Sequence, residues 1–106
     1  MCAMPTNLYQ VLYVGPPRYE GTPAERASLE KTVRSFIRTH GGRHTGLVAV
    51  KVGFLLGMFI IYTDTLQAAQ GLPGKFEGFE RQHDELEQPA DKVRAAGPFF
   101  YEAEVF

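Results

Sequence analysis

The longest apolar run in the chain spans residues 46–62, GLVAVKVGFLLGMFIIY, with Lys51 as its single charged residue. Two patterned segments precede it. Residues 7–14, NLYQVLYV, are rich in aromatic and β-branched side chains and stop at Gly15-Pro16-Pro17, which predicts a short strand. A short amphipathic helix fits the same eight letters, because so brief a run does not separate the two periods. The next segment is unambiguous. Thr22 is a good N-cap, Pro23 fits the first helical position, and Glu25 three residues on completes a capping box. Leu29, Val33, Phe36 and Ile37 form one apolar stripe, with Arg26, Lys31, Arg34 and Arg38 largely off it. Gly41-Gly42 stops the pattern, so a helix is predicted over 23–39.

Beyond Asp64 the pattern weakens. TLQAAQ extends a helix by a turn or two before Gly71, Pro73 and Gly74 break it. Residues 75–88, KFEGFERQHDELEQ, are charged, with Phe76, Phe79 and Leu86 as their few apolar contacts. A short helical piece, DKVRAA, follows Pro89. The closing GPFFYEAEVF partly alternates and fits either a strand or an extended arm lying on a partner.

The central run supports two architectures. In the first, LVAVKV and MFIIYTD are strands of a hairpin. The element order then becomes β-α-β-β-α-β, the ferredoxin-like plan, with Lys51 pointing outward between Val50 and Val52. In element order this resembles the small dimeric α+β-barrel family of monooxygenases and a ferredoxin-like protein of the bacterial small ribosomal subunit. Its weak point is the turn Gly53-Phe54-Leu55-Leu56-Gly57, since hairpin turns that meet water favour polar residues and glycine. In the second architecture the run is a membrane-spanning helix. About 20 apolar residues are needed, and residues 44–64 at ~1.5 Å each reach about 31 Å. Tyr62 then sits at one interface, Lys51 snorkels to the headgroups of the other, and Gly53 and Gly57 form a G-x-x-x-G face for packing a second helix.

Charge flanking favours the span. Ahead of Gly46 stand six bases (Arg18, Arg26, Lys31, Arg34, Arg38, Arg43) and three acids. After Tyr62 stand four bases and nine acids. The positive-inside rule places the N-terminal side in the matrix or cytoplasm. Gly46-Leu47-Val48-Ala49, Val52 and a spaced glycine resemble the span of mitochondrial ATP-synthase subunit g, a family that packs small residues at a dimer interface. That resemblance implies an inner-membrane accessory subunit. It covers about a sixth of the chain. Two departures stand beside it: Lys51 falls where that family tends to place an acid, and more than 40 residues follow the run.

Candidate chemistry adds little. With 106 residues and no repeat, one ordinary domain is expected. Cys2 is the only cysteine, which excludes an internal disulfide and fits a frayed terminal residue. No secretory signal is read at the start. His40 and His44 are four apart, but Gly41-Gly42 interrupt the helix that this metal-ligand spacing needs, and His83 stands alone. Asp84, Glu85 and Glu87 lie in a charge run, where a solvated face is the default. Gly71-Leu72-Pro73-Gly74-Lys75 lacks the order of a phosphate loop. Arg26, Arg34 and Arg38 make a basic helix face on a chain of net charge −1, too little for nucleic acid.

The expectation is therefore a mainly α chain with one transmembrane helix and short extended arms. A basic segment with its amphipathic helix occupies 1–43, the span 44–64, and an acidic arm 65–106. Its role is that of a non-catalytic accessory subunit of a respiratory or ATP-synthase-type complex in the mitochondrial inner membrane, N-terminus on the matrix side. Expected partners are the other subunits and lipid, without cofactor, metal or nucleic acid. Helix packing falls to Gly53 and Gly57, and the membrane interfaces to Lys51 and Tyr62. The alternatives are a ferredoxin-like homodimeric enzyme or binding module, and a ribosomal subunit.

Overall fold

The computed structural model describes residues 5–42 and 44–103, together with the backbone but not the side chains of His83 and Asp84. Cys2 and Arg43 lie outside the described residues. The run at 46–62 is two strands. β1 (Asn7–Val14) is followed by α1 (Pro23–His40), β2 (Leu47–Gly53) and β3 (Met58–Thr63). Then come α2 (Leu66–Gln70), β4 (Lys75–Phe76), β5 (Phe79–Pro89), α3 (Ala90–Ala95) and β6 (Tyr101–Glu102). The sheet has the order β4-β5-β1-β3-β2-β6, and its paired strands are antiparallel. Its four central strands, β5-β1-β3-β2, follow the ferredoxin-like plan, with short β4 and β6 added at the edges.

The expected mainly α fold with a transmembrane helix is corrected by these strands. No helix among the described residues is long and apolar enough to cross a membrane, which says nothing of β-barrels. The expected single-pass role, and the inner-membrane address built on it, lose their basis with the span. The physical reason for the misreading is burial on two sides. β2 and β3 are interior strands, and side chains of both alternation sets find apolar cover over most of their length, Met58 at the turn end excepted. A strand covered on both faces reads as an unbroken apolar run, as a membrane helix does.

One face of the sheet carries the main core. Val11 and Tyr13 of β1, Val50 of β2, Phe59 and Ile61 of β3 and Phe79 of β5 pack against Leu29, Val33 and Phe36 of α1 and Ala69 of α2. Aromatic rings dominate. Tyr13 stacks on Phe59 with centroids 5.0 Å apart, and Phe36 meets Tyr13, Phe59 and Phe76 within 5.4 Å. The Tyr13 hydroxyl is satisfied by donating to the Pro73 carbonyl at 2.5 Å, as a buried phenol requires. α1 starts as its sequence dictates: Thr22 Oγ1 accepts from Glu25 N, and Glu25 Oε1 accepts from Thr22 N.

The opposite face has a smaller core, made by Leu8, Val48, Ala49 and Tyr62 of the sheet with Ala90 and Val93 of α3. Phe99 sits edge-on to Tyr62 there. α3 covers one half of this face, leaving the other half to be considered as a surface.

Candidate interaction surface

Registers across the strands align the second face in rows. Glu80, Val14, Met58 and Gly53 form the row nearest the β2–β3 turn. His83, Leu12, Ile60 and Lys51 form the next, and Leu86, Gln10, Tyr62 and Ala49 the third. α3 lies over the third row and beyond, which buries Tyr62 and Ala49. Among the described residues the first row has no such cover, and the second has it only at the β3–β2 side, where Ile60 packs on the smaller core and Lys51 reaches the end of α3. Leu12, Val14, Met58 and Ile60 stay partly exposed, and Leu86 at the border is 50% exposed. Leu12, Val14 and Met58 belong to neither core cluster. Apolar residues therefore run across open sheet, with Lys51 at one margin and Glu80 at the other.

The turn that ends the hairpin is apolar and exposed as well. Leu55 is 77% and Leu56 68% exposed. Their backbone is nevertheless tightly fixed. Leu56 N and Gly57 N both donate to Gly53 O, at 3.1 and 2.9 Å, and Gly15 N donates to Gly57 O at 3.0 Å. The Tyr19 hydroxyl donates to Phe54 O at 2.5 Å while its ring lies against Gly57. Phe54 turns back onto Phe100, over which the Arg34 guanidinium sits at 5.0 Å. Phe54 is thus anchored to the fold while Leu55 and Leu56 face outward.

The predicted packing glycines are the two feet of this turn, where no helix exists for them to pack. Gly57 takes φ +66 and is buried, and Met58 leans over Gly53. Lys51, expected at a membrane interface, lies on the second face and donates from Nζ to Ala96 O at 2.9 Å, tying β2 to the end of α3. Tyr62, expected at the other interface, is 5% exposed beneath α3, and burial pushes its phenol above the ordinary value. Gly46 to Ala49, the residues likened to a subunit g span, enter β2.

The histidines are apart. His40 ends α1 with its ring 4.6 Å from Phe36 and 5.9 Å from Phe76, and burial lowers its pKa. His44 lines an open depression of about 370 Å³ with Asp64, Thr65 and Gln67, a site with one carboxylate and little enclosure. Among the described residues no three metal-ligating side chains converge. Glu85, one of the acids singled out, holds Arg81 at 2.9 Å, and Glu87 accepts from Asn7. The side chains of His83 and Asp84 lie outside the described residues. Of the basic helix face, Arg34 pairs with Glu30 and covers Phe100, while Arg26 and Arg38 point to solvent.

No protein-family model, curated protein or solved structure matches the chain. Sequence reasoning flagged the apolar turn as an anomaly but did not find Leu12, Val14 and Met58. Their exposure depends on where α3 stops, which strand alternation does not encode.

Proposed function

We propose that the protein is a binding module on a ferredoxin-like plan, acting through the uncovered half of its second sheet face rather than through catalysis. The observation that carries this reading is Leu12, Val14, Met58 and Ile60 side by side and partly exposed on the sheet, with Leu55 and Leu56 exposed at the β2–β3 turn. Contiguous apolar surface of this kind marks a docking site. The fixed turn supports the same reading, because a surface ordered beforehand loses little entropy on binding.

Met58 reports on it directly. Peroxide converts an accessible thioether to the sulfoxide. In dilute purified protein Met58 is expected to oxidise readily. In intact cells of the source organism it is expected to be protected at least about fivefold relative to that reference, because a partner covers it. Equal oxidation in both settings would show that the face works uncovered and would end this reading.

A further inference from the structure

The uncovered part of the second face has a diagonal outline. Leu86 of β5, Leu12 of β1 and Met58 of β3 each lie one strand over and one row nearer the turn than the last. α3 descends the same way. It starts at β1, where Ala90 N donates to Thr6 O, and ends at β2, where Lys51 Nζ donates to Ala96 O. We infer that the partner offers one amphipathic helix, about three turns long and acidic along one flank, which lies on this diagonal beside α3. This deepens the binding-module reading and rests on it.

Three observations select such a helix. First, the strands beneath the diagonal, β5, β1 and β3, each have a neighbour on both sides. A segment laid on their face gains no backbone hydrogen bonds from them. The apolar seat therefore favours a segment that satisfies its own N–H and C=O groups, as a helix does and an extended chain does not. α3 is seated on this face on the same terms, with Ala90 and Val93 packed onto Leu8, Val48, Ala49 and Tyr62.

Second, the size agrees. Rows lie ~7 Å apart and strands ~4.8 Å. Two steps of each set Leu86 and Met58 about 17 Å apart, the length of about 11 helical residues. That is three turns, an ordinary helix. Leu12 falls midway and Val14 flanks the line. An apolar stripe spaced i, i+4, i+7 and i+11 follows it. No described helix of this chain can supply that stripe. α1 buries its own in the main core, and α2 and α3 have only five and six residues. The helix therefore comes from another protein.

Third, the margin is charged. On the flank of α3 that faces away from the diagonal, Arg94 lies 4.0 Å from Glu102, which pairs with Ala49 in the third row. Lys92 is two residues earlier, about 200° round the helix, so it falls on the flank beside the diagonal. It is exposed there. Lys51 extends the same positive edge toward β2. Glu80, at the opposite corner, is held by Lys75 at 3.6 Å. Carboxylates along one flank of the incoming helix face the two ammonium groups and set its orientation.

The experiment places photoreactive benzoylphenylalanine at Leu86, Leu12 or Met58 of the full chain in intact cells of the source organism. Each attachment is mapped by peptide mass spectrometry. Attachments from Leu86 and Met58 are expected about 11 residues apart in one segment of another protein, with that from Leu12 between them and Asp or Glu along the segment. Lys92→Glu should cut the yield from all three positions about tenfold, and Lys92→Arg should keep it. Circular dichroism of both variants should match the parent, because Lys92 is exposed. The mapped segment, made as a synthetic peptide, should bind the purified chain with the same loss for Lys92→Glu. Attachments about five residues apart mean an extended segment, and attachments within this chain's own sequence mean a second copy. Scattered or absent attachments mean that no helix is seated. Each of these overturns the inference, as does indifference to Lys92→Glu. Met58 oxidation in the unsubstituted chain separates this failure from that of the underlying reading. Protection in cells beside any overturning result leaves the face with a different occupant. An unprotected Met58 removes the binding face itself.

Discussion

Gly53 and Gly57 stand at the two feet of one turn for different reasons. Gly57 is in the left-handed region at φ +66, and a Cβ there would come within 2.5 Å of the Tyr19 ring. Gly53 has ordinary strand geometry, and an added Cβ would meet the flexible Met58 side chain at 3.1 Å. Gly57→Ala should therefore cost about 2–3 kcal/mol, combining left-handed strain with displacement of Tyr19. Gly53→Ala should cost less than about 1 kcal/mol. Chemical denaturation of the pair checks this, and equal effects would contradict the turn. His40 gives the second prediction at this scale. Burial holds its imidazole below 6.5, so the unfolded chain takes up a proton at higher pH than the folded one. Stability should fall as pH drops through 6.5 and level off once the folded group also protonates. His40→Phe, which keeps a ring against Phe36 and Phe76, should flatten that slope in denaturant melts at pH 7.5 and 5.5.

Among the elements, α1 was legible nearly to the residue, because its determinants are local. Thr22, Pro23 and Glu25 form the start, and the apolar stripe faces one sheet. The backbone amide of Thr22 holds the Glu25 carboxyl below 4.5. The capping box therefore acts fully above 4.5 and is lost as pH falls through the lowered value. Thr22→Ala should cost about 1 kcal/mol at neutral pH in a denaturant melt. β1 was readable in its bounds, Asn7 to Val14, but eight residues left strand and short helix open until the sheet paired it on both sides. β5 was not. Its letters, FERQHDELEQP, look like a solvated arm because the strand lies second from the edge and interrupts its register twice against β1. Glu85 in the backbone irregularity takes φ +53, and no single position in that stretch announces a strand. The basic and acidic ends of the sequence, read as opposite sides of a membrane, are α1's outer face and the β5 edge of one small molecule.

For the molecule as a whole, the unusual feature is asymmetry of cover. One sheet face is sealed by an 18-residue helix and a cluster of rings. The other has a six-residue helix, too short to reach both ends of strands it lies across. Lys51 holds that helix in place through Ala96, and Arg34 with Phe100 pins the segment that follows. The apolar residues left beyond it, Val14 and Met58 foremost, form the partly exposed surface on which the proposed binding role rests. An apolar turn that looked unfit for a hairpin in water is in fact exposed, and Met58 beside it offers the means to ask what covers it.

The sequence by itself determined what depends on neighbours along the chain: α1 with both its ends, the bounds of the segment 7–14, the breaks at Gly15 to Pro17 and Gly71 to Gly74, and the lack of a disulfide framework. Only the tertiary structure decided whether residues 46–62 cross a bilayer or fold back as a hairpin. Both outcomes take most of the same side chains out of water, Leu55 and Leu56 excepted, and apolarity records that a residue leaves water without recording where it goes. The surface at Leu12, Val14, Met58 and Ile60 was set in the same way, by the place where α3 stops on a sheet whose strands come from distant parts of the chain.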